Sequence, residues 1–194
     1  MATKLIFICH ATTRDLRAAT FGGDAALDDV GRKQAERAAA IIGRVDQCWS
    51  SPALRCTETA AILGLTPTID PRLRECDFGR WNGLRLQQVM LKEPRKLMGW
   101  IKNPSSAPHG GETIQQVVDR VSSWMKDRIR DKGVTVAIAH ASVIRAAVVH
   151  VIEAQLPSFW RIDISPLSRT ELRTNGRRWV LRSLGPIAGN EETD

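Results

Sequence analysis

The sequence has little of what nucleic-acid-binding and membrane-spanning segments are built from. Aromatic residues make up 5% of the 194 residues, tyrosine is absent, and no dense run of Lys or Arg occurs. The net charge of +7 is therefore not combined with stacking side chains, and we expect no nucleic-acid partner. No apolar stretch approaches the roughly 20 residues of a membrane-spanning helix, so we expect no membrane partner. The excess of arginine remains compatible with a small anionic substrate.

Cysteine is also scarce, and its spacing argues against a zinc site. No two of the four cysteines form a C-x-x-C pair. Three of the four cysteines lie on or beside predicted core elements, so we expect reduced, buried thiols. We expect no metal or other cofactor. The N-terminus leads directly into a short apolar strand, without the features of a signal peptide, so a cytoplasmic location is the expectation. The four cysteines are Cys9, Cys48, Cys56 and Cys76.

The length of the chain and the order of its segments predict one α/β domain over residues 1–187. A chain of this size can bury one sizeable core. Strand-like runs alternate with amphipathic stretches, which favours a three-layer α/β/α sandwich with a mostly parallel central sheet. The predicted strands are 3–9, 48–50, 67–69 and 134–139, followed by a hairpin over 160–184 with Asn175-Gly176 at its turn. The predicted helices are 29–43, 52–63 with Ser51 as N-cap and Pro52 as first residue, 113–131, and 142–153.

Residues 70–112 interrupt this alternation and are rich in proline and glycine. We interpret them as a small lid insertion within the domain. Side chains of the insertion are expected to line the outer part of a pocket, although a loop histidine is more often simply exposed. These side chains are Trp81, Trp100, His109 and Glu112.

The C-terminal tail and the terminal hairpin lead to two further expectations. The acidic residues 188–194 are expected to form a disordered tail. An exposed edge strand in the hairpin would favour a homodimer, because unpaired strand edges invite pairing with another chain.

Two predicted strands end alike, with histidine followed by alanine and a hydroxyl residue. The first strand stops at His10 and the fourth at His140. Ligands of open α/β sheets bind just beyond the carboxyl ends of the strands. If the two strands are parallel neighbours, both imidazoles emerge side by side at one edge. A single histidine at a strand end is more often a surface residue, and the repetition is what favours catalysis.

Arg55 and Glu75 have the chemistry of a phosphate site. Arg55 lies in the first turn of a predicted helix, where free N–H groups favour anions and a guanidinium adds a fork that matches phosphate. Glu75 precedes a loop of glycine and aromatic residues, where a partly desolvated carboxyl could hold a proton for a leaving oxygen. Taken alone, an arginine such as Arg55 is more often a surface residue. A loop glutamate such as Glu75 is more often in an ion pair with a nearby arginine, here Arg74 or Arg80.

Together these segments resemble the histidine phosphatase superfamily, also called phosphoglycerate mutase-like or branch-D phosphatases, over nearly the whole chain. The order and spacing of the segments make the resemblance specific. It implies a phosphoglycerate mutase-like fold. The matching residues are 10–13, Leu27 with 31–35, 50–55 with Thr59-Ala60, Leu73, Glu75, Phe78-Gly79, Trp81, Gly83, and His140-Ala141 with Ile144-Arg145.

The resemblance implies a role for each site residue. His10 would attack phosphorus and become a phosphohistidine, which divides one displacement into two easier ones. Arg55 and His140 would hold the non-bridging oxygens without a metal ion. Glu75 would protonate the leaving oxygen and then deprotonate the attacking water. To attack, His10 must be neutral, with its far ring nitrogen donating to a backbone carbonyl.

The chain departs from the family pattern on both sides of the nucleophile, where Cys9 replaces the usual arginine and Ala11 replaces glycine. Losing one oxyanion donor costs on the order of 10²–10³ in rate. We hypothesise that Arg14, or failing that Arg17, supplies the missing phosphate-binding charge. A Cys9 thiol nucleophile is the less favoured alternative, because successive strand side chains point to opposite faces. Cys9 is instead expected to be a small, half-buried replacement.

The residues after Glu75 favour a phosphatase over a mutase. Mutases of the superfamily are longer and typically carry Arg and Tyr where this chain has Cys76 and Phe78. The expected function is therefore a metal-independent phosphomonoesterase acting on a small phosphate ester, such as a sugar, nucleotide-like or ribazole phosphate. The alternatives are a pseudo-enzyme that binds a phosphate ligand, a mutase-type phosphotransferase and, last, a basic nucleic-acid-binding module.

Overall fold

A computed structural model describes residues 3–187, and its elements follow the predicted alternation of strands and helices. The strands are β1 (Thr3–Cys9), β2 (Gln47–Ser50), β3 (Thr68–Ile69), β4 (Val134–Ala139), β5 (Ser168–Thr174) and β6 (Trp179–Pro186). The helices are α1 (Arg14–Arg17), α2 (Asp29–Ala39), α3 (Leu54–Ile62), α4 (Leu86–Lys92), α5 (Pro94–Lys102), α6 (Ile114–Asp127) and α7 (Ala141–Val151). Short 3-10 helices lie at Pro71–Leu73, Gly79–Trp81 and Leu156–Arg161.

The strands form one six-stranded sheet in the order β3-β2-β4-β1-β5-β6. The four strands from β3 to β1 pair in parallel, whereas β5 and β6 are antiparallel additions. The register of β1 and β4 runs from Lys4↔Val134 to Cys9↔Ala139, so both strands end at the same edge. The prediction that they are parallel neighbours is confirmed, and the terminal hairpin makes the sheet mixed.

Alternate residues of β1 face two separate cores, which explains its unbroken apolar run. Leu5 and Phe7 pack with residues of α6 and α7 in the larger core. Ile6 and Ile8 pack with residues of α2 and α3 in the smaller core. Because successive strand side chains alternate between faces, a strand covered on both sides must be apolar throughout. The predicted α/β/α sandwich is confirmed.

Two helices end earlier than their apolar pattern predicts. Helix α2 ends at Ala39 and α6 at Asp127, in place of about 43 and 131. Beyond these ends, Ile42 and Ile129 still pack against the two cores. The apolar periodicity therefore continues past the hydrogen-bonded helix, which is why the sequence overestimates its length.

Helix α3 begins later than predicted, at Leu54, with Ala53 as an N-cap that offers no side-chain hydrogen bond. The prediction of Ser51 as N-cap and Pro52 as first helical residue is therefore wrong. The Ser51 hydroxyl lies 2.8 Å from Nε2 of His140 instead. This contact with a distant strand end could not be read from the local pattern.

Residues 70–112 contribute to the main core. We call six neighbouring rings the aromatic cluster, and adjacent rings in it lie 4.6–6.2 Å apart, centroid to centroid. The prediction that Trp81, Trp100 and His109 line an outer pocket is wrong, since all three are buried. Packing such large rings together removes much apolar area from water. Glu112 pairs with Arg74 and Arg120, and the lid stays a prediction. The aromatic cluster consists of Phe21, Phe78, Trp81, Trp100, His109 and Trp160.

The terminal hairpin is confirmed, but its first strand begins at Ser168, and the predicted start near residue 160 is wrong because residues 160 and 161 belong to a 3-10 helix. Asn175 and Gly176 lie in the connection between β5 and β6, and the φ of +90° at Gly176 is one that glycine readily adopts. β6 is one of the two edge strands of the sheet, β3 being the other, and the homodimer stays a prediction. The predicted tail, 188–194, lies outside the described residues. From residue 3 to residue 187, no helix has the length and apolar character needed to cross a membrane.

Candidate active site

His10 and His140 directly follow β1 and β4, and their rings lie side by side. The N–H of His10 donates to the carbonyl of Ala139 at 2.9 Å, which extends the parallel ladder beyond β1. The two ring centroids are 5.2 Å apart. The expected convergence of the two imidazoles at one sheet edge is therefore confirmed, whereas their catalytic roles stay predictions.

Two hydrogen bonds fix His10 in its neutral form. Arg55 donates from Nε to Nε2 of His10 at 3.2 Å. Because a guanidinium only donates, Nε2 is an acceptor, and Nδ1 carries the proton donated to the carbonyl of Ala11 at 2.8 Å. Burial, followed by the charge of Arg55, lowers the pKa of His10 to about 4. At neutral pH, Nε2 therefore keeps a lone pair for attack.

Arg55, in the first turn of α3, connects the two histidines. Its Nη2 lies 3.1 Å from Nδ1 of His140, and its Nη1 donates to the carbonyl of Gly23 at 2.7 Å. Gly23 has a φ of +79°, which glycine adopts without the clash of a side chain. The guanidinium is thus buried and held by three elements, in contrast to the surface arginine that its helix alone would suggest.

His140 is completely buried and also neutral. Since Arg55 donates toward Nδ1, the ring proton sits on Nε2 and is donated to Oγ of Ser51 at 2.8 Å. Burial, followed by the charges of Arg55 and His10, lowers the pKa of His140 well below its ordinary value. A phosphate dianion beside Nδ1 would act in the opposite direction, because a nearby negative charge favours the protonated ring.

Glu75 lies beside this group with one oxygen directed at it. Its Oε2 is 3.6 Å from Nδ1 of His140 and 4.0 Å from Nη2 of Arg55. Its Oε1 accepts the N–H of Cys76 at 2.8 Å and the hydroxyl of Ser142. Because these two donors occupy Oε1, a proton held by the carboxyl belongs on Oε2, the oxygen that faces the histidines.

Ser51 and Ser142 are residues of this group that the sequence analysis did not single out. The position of each serine after a predicted strand could have identified it as a site residue. Ser142 belongs to the repeated pattern of histidine, alanine and a hydroxyl residue after the strands, and Ser51 follows β2 at the same sheet edge. Hydroxyl groups at the ends of adjacent parallel strands meet there for the same reason as the histidines do.

Arg14 and Arg17 are not brought to this group. Arg14 is exposed, and Arg17 pairs with Asp28 at 2.7 Å while its side chain remains 52% exposed. Neither residue lines the cavity beside His10. The hypothesis that one of them supplies the second phosphate-binding charge gains no support from these positions and stays a prediction.

Cys9 is buried in the larger core and 2% exposed, so the expectation of a half-buried residue is wrong. It lies on the face of β1 that packs against α6 and α7, which leaves no water around the thiol. Burial, followed by the charge of Glu75, raises the pKa of Cys9 to about 12. The thiolate that a Cys9 nucleophile would require is therefore not populated near neutral pH.

Two adjoining cavities open at this edge of the sheet. The smaller, of about 110 Å³, is lined by His10, Arg55 and Glu75 together with residues that follow β1. The larger, of about 420 Å³, shares Arg55 and Glu75 with it. A more voluminous groove runs between α6, α7 and β6 and contains none of the predicted site residues. Within residues 3–187, no three His, Cys, Asp or Glu side chains are arranged to hold a metal ion.

The fold is α/β, and two imidazoles, a guanidinium and a carboxyl group meet at one edge of its sheet. The chain belongs to the histidine phosphatase superfamily (branch 1), whose family model matches residues 5–186. It is a phosphatase of the histidine phosphatase type, in agreement with the names of its relatives and of its structural neighbours.

Named relatives are similar over most of the chain. Phosphoserine phosphatase 1 of Hydrogenobacter thermophilus is 29% identical over 192 residues, which are 93% of this chain and 91% of that protein. Glucosyl-3-phosphoglycerate phosphatase of Mycobacterium tuberculosis is 33% identical over 127 residues, which are 61% of this chain and 57% of that protein. The structure of the mycobacterial glucosyl-3-phosphoglycerate phosphatase with VO3 matches with a TM-score of 0.85 at 26% identity, covering 94% of this chain and 98% of the other.

Proposed function

We propose that this protein hydrolyses phosphate monoesters of small metabolites through a phosphohistidine at His10, without a metal ion. The observation that carries the proposal is the position of Arg55, which lies 3.2 Å from Nε2 of His10 and 3.1 Å from Nδ1 of His140. A phosphoryl group that replaced these contacts would meet all three side chains at once. The phosphatase names of the relatives support a small phosphorylated metabolite as substrate.

In the first step, the lone pair on Nε2 of His10 forms a bond to phosphorus while the bond from phosphorus to the ester oxygen breaks. Before attack, Nε of Arg55 must give up its hydrogen bond to His10 and donate to a phosphate oxygen instead. The new hydrogen bond replaces the one that is lost. Glu75 donates the proton on Oε2 to the leaving oxygen. The products of this step are the free alcohol and phosphohistidine.

In the second step, water attacks the phosphohistidine and the phosphorus–nitrogen bond breaks. Glu75, now ionised, accepts the proton of the water and returns to its acid form. Nδ1 of His10 keeps its hydrogen bond to the carbonyl of Ala11 throughout, so the ring leaves phosphorus in its original tautomer. Inorganic phosphate is then released.

The charge on the transferred group is balanced by Arg55 and by His140. The approaching dianion favours protonation of His140 at Nδ1, so that the second imidazole becomes a donor when phosphate is bound. This device offsets part of the charge lost with the arginine that Cys9 replaces. Whether Arg14 or Arg17 adds to it is tested by replacing both with alanine, and unchanged turnover would rule them out.

The experiment that tests the proposal is hydrolysis of p-nitrophenyl phosphate with and without EDTA. We expect turnover that EDTA does not reduce and that the His10→Ala variant lacks. His150→Ala is the matched control, because His150 lies exposed near the far end of α7. A folded wild-type protein without turnover would favour the pseudo-enzyme alternative, and transfer of phosphate between two sugars without release would favour the mutase alternative.

A further inference from the structure

The small cavity beside His10 is lined by the carboxyl groups of Asp15 and Glu75 and by the guanidinium of Arg55, whereas the neighbouring Arg14 does not line it. Asp15 lines the same cavity as His10. Its Oδ2 lies so close to the backbone of Gly23 that a Cβ built there would be 2.6 Å away. The carbonyl of Gly23 in turn accepts Nη1 of Arg55. The carboxylate of Asp15 therefore lies next to the loop whose carbonyl accepts from the guanidinium of Arg55.

The other charged groups of the two cavities decide how far the charge of Asp15 is offset. Among residues 3–187, its carboxylate has no hydrogen-bonded or ion-paired partner side chain. The adjoining cavity adds two further carboxylates, those of Asp24 and Asp77. The guanidinium groups that line the two cavities are Arg55, which faces the histidines, and Arg74, which donates to Glu112 at 2.7 Å.

The remaining wall beside Asp15 is mainly apolar and aromatic, and its polar side chains are those of Thr13 and Thr20. The rings of Phe21 and Phe78 lie 5.1 Å apart and line the cavity, with Leu16 next to them. Such a wall stabilises methylene groups, and aromatic faces also attract an ammonium group. It offers a carboxylate at most two hydroxyl donors and no cation in exchange for its lost hydration.

We infer that the site selects phosphate esters by charge, and that it favours alcohols that are neutral or carry an ammonium group over alcohols that carry a carboxylate. The inference rests on the proposed function, since it places the leaving alcohol beside Asp15. It separates this chain from the substrates that the names of its relatives describe, because phosphoserine and a phosphoglycerate both carry a carboxylate.

The test compares two esters that differ only by this group, O-phosphoethanolamine and O-phosphoserine. Repulsion between two carboxylates at a protein surface is worth roughly a factor of ten in an association constant. We expect kcat/KM for phosphoethanolamine to exceed that for phosphoserine by at least about tenfold. Asp15→Asn should narrow the ratio and Asp15→Lys should invert it, whereas Asp163→Asn, a matched exposed control, should leave the ratio as it is.

The outcomes separate this inference from the proposed function. Equal or better use of phosphoserine, in a protein that hydrolyses p-nitrophenyl phosphate, overturns the charge selection and leaves the phosphatase proposal intact. If the protein hydrolyses neither ester, calorimetric Kd values of the two esters replace kcat/KM. Equal Kd values, or a ratio that Asp15→Lys does not change, overturn the inference in that case as well.

Discussion

His140 and His109 are equally buried but lie in opposite surroundings. His140 is 0% exposed and His109 1% exposed. A guanidinium nitrogen of Arg55 lies 3.1 Å from His140, whereas the ring of His109 lies among Trp81 and Trp100, at 5.0 and 5.6 Å between centroids. The first histidine belongs to a polar group at the sheet edge, the second to the aromatic cluster.

Burial lowers the pKa of both histidines, as it does for any imidazole that loses water. A lowered pKa therefore does not distinguish a histidine that takes part in chemistry from one that fills a core. The difference lies in the partners, because a guanidinium nitrogen of Arg55 lies 3.1 Å and a carboxyl oxygen of Glu75 3.6 Å from Nδ1 of His140, whereas aromatic rings surround His109. We expect substitutions in the two regions to change different quantities.

The largest effect is expected at the nucleophile. His10→Ala should lower kcat by at least about 10⁴-fold, since a phosphohistidine can no longer form. His109→Phe, within the aromatic cluster, should leave kcat of the folded protein close to that of the wild type. Both variants are compared by p-nitrophenol release after their far-UV spectra show the native fold. Comparable losses in the two variants would remove the distinction between the regions.

Trp100→Ala should show the reverse pattern. Trp100 is 5% exposed and contacts five rings of the aromatic cluster. Its truncation leaves a large cavity and should lower the free energy of unfolding by about 3–5 kcal/mol. Urea denaturation measures this loss, and kcat is determined where the variant is folded. Full stability combined with lost turnover would assign the aromatic cluster to the catalytic group.

The pH dependence of stability should reveal the buried histidines of the polar region. The pKa of His10 is about 4 in the folded protein, so between pH 6.5 and 4 the unfolded chain binds a proton that the folded chain does not. His10 therefore costs no stability above pH 6.5 and up to about 3 kcal/mol as the pH falls to 4. Denaturation at several pH values measures the free energy of unfolding. Below pH 6.5 this free energy should fall less steeply with pH in His10→Ala than in the wild type, and identical slopes would contradict the lowered pKa of His10.

Glu75→Gln should affect esters according to their leaving group. An alkyl alcohol such as glycerol needs protonation as it leaves, whereas p-nitrophenolate does not. Rapid mixing measures the rate of the first turnover. In the variant, this rate should fall about 10²-fold with glycerol phosphate and far less with p-nitrophenyl phosphate. Equal losses with both esters would show that Glu75 does not act as the general acid.

Ser142→Ala should have the smallest effect, in the same direction. Without the hydroxyl at Oε1, the carboxyl of Glu75 can turn and carry its proton away from the leaving oxygen. We expect the first turnover of glycerol phosphate to fall by about fivefold relative to p-nitrophenyl phosphate, the value of roughly one hydrogen bond. Ser142→Thr keeps the hydroxyl and should restore the ratio. An unchanged ratio in Ser142→Ala would exclude this positioning role.

Much of the fold was predictable because its signals are local. Strands buried on both faces favour apolar runs, as in 5–9 of β1 and 136–139 of β4, and the repeated histidine after each strand predicted the edge at which they meet. The first residue of α3 and the burial of His109 were not predictable, since both depend on contacts with residues elsewhere in the sequence. Ser51 contacts His140, 89 residues away, and His109 joins rings drawn from four separate segments.

The candidate site was predictable in its residue types but not in its connections. His10, Arg55, Glu75 and His140 were identified from strand ends and from the family resemblance, and the structure brings them together. That Arg55 bonds both imidazoles depends on the register of β1 with β4 and on the entry of α3. No local pattern encodes such a register, and the same holds for the pairing of Arg17 with Asp28.

The central claim is that His10 accepts the phosphoryl group, and trapping the phosphorylated enzyme tests it most directly. Wild-type protein is mixed with a ³²P-labelled ester, quenched within the first turnover and digested. We expect a label that is stable in alkali, labile in acid and located on the peptide containing His10, and that is missing from His10→Ala. A label on another residue, or labelling and turnover that persist in His10→Ala, would contradict the account.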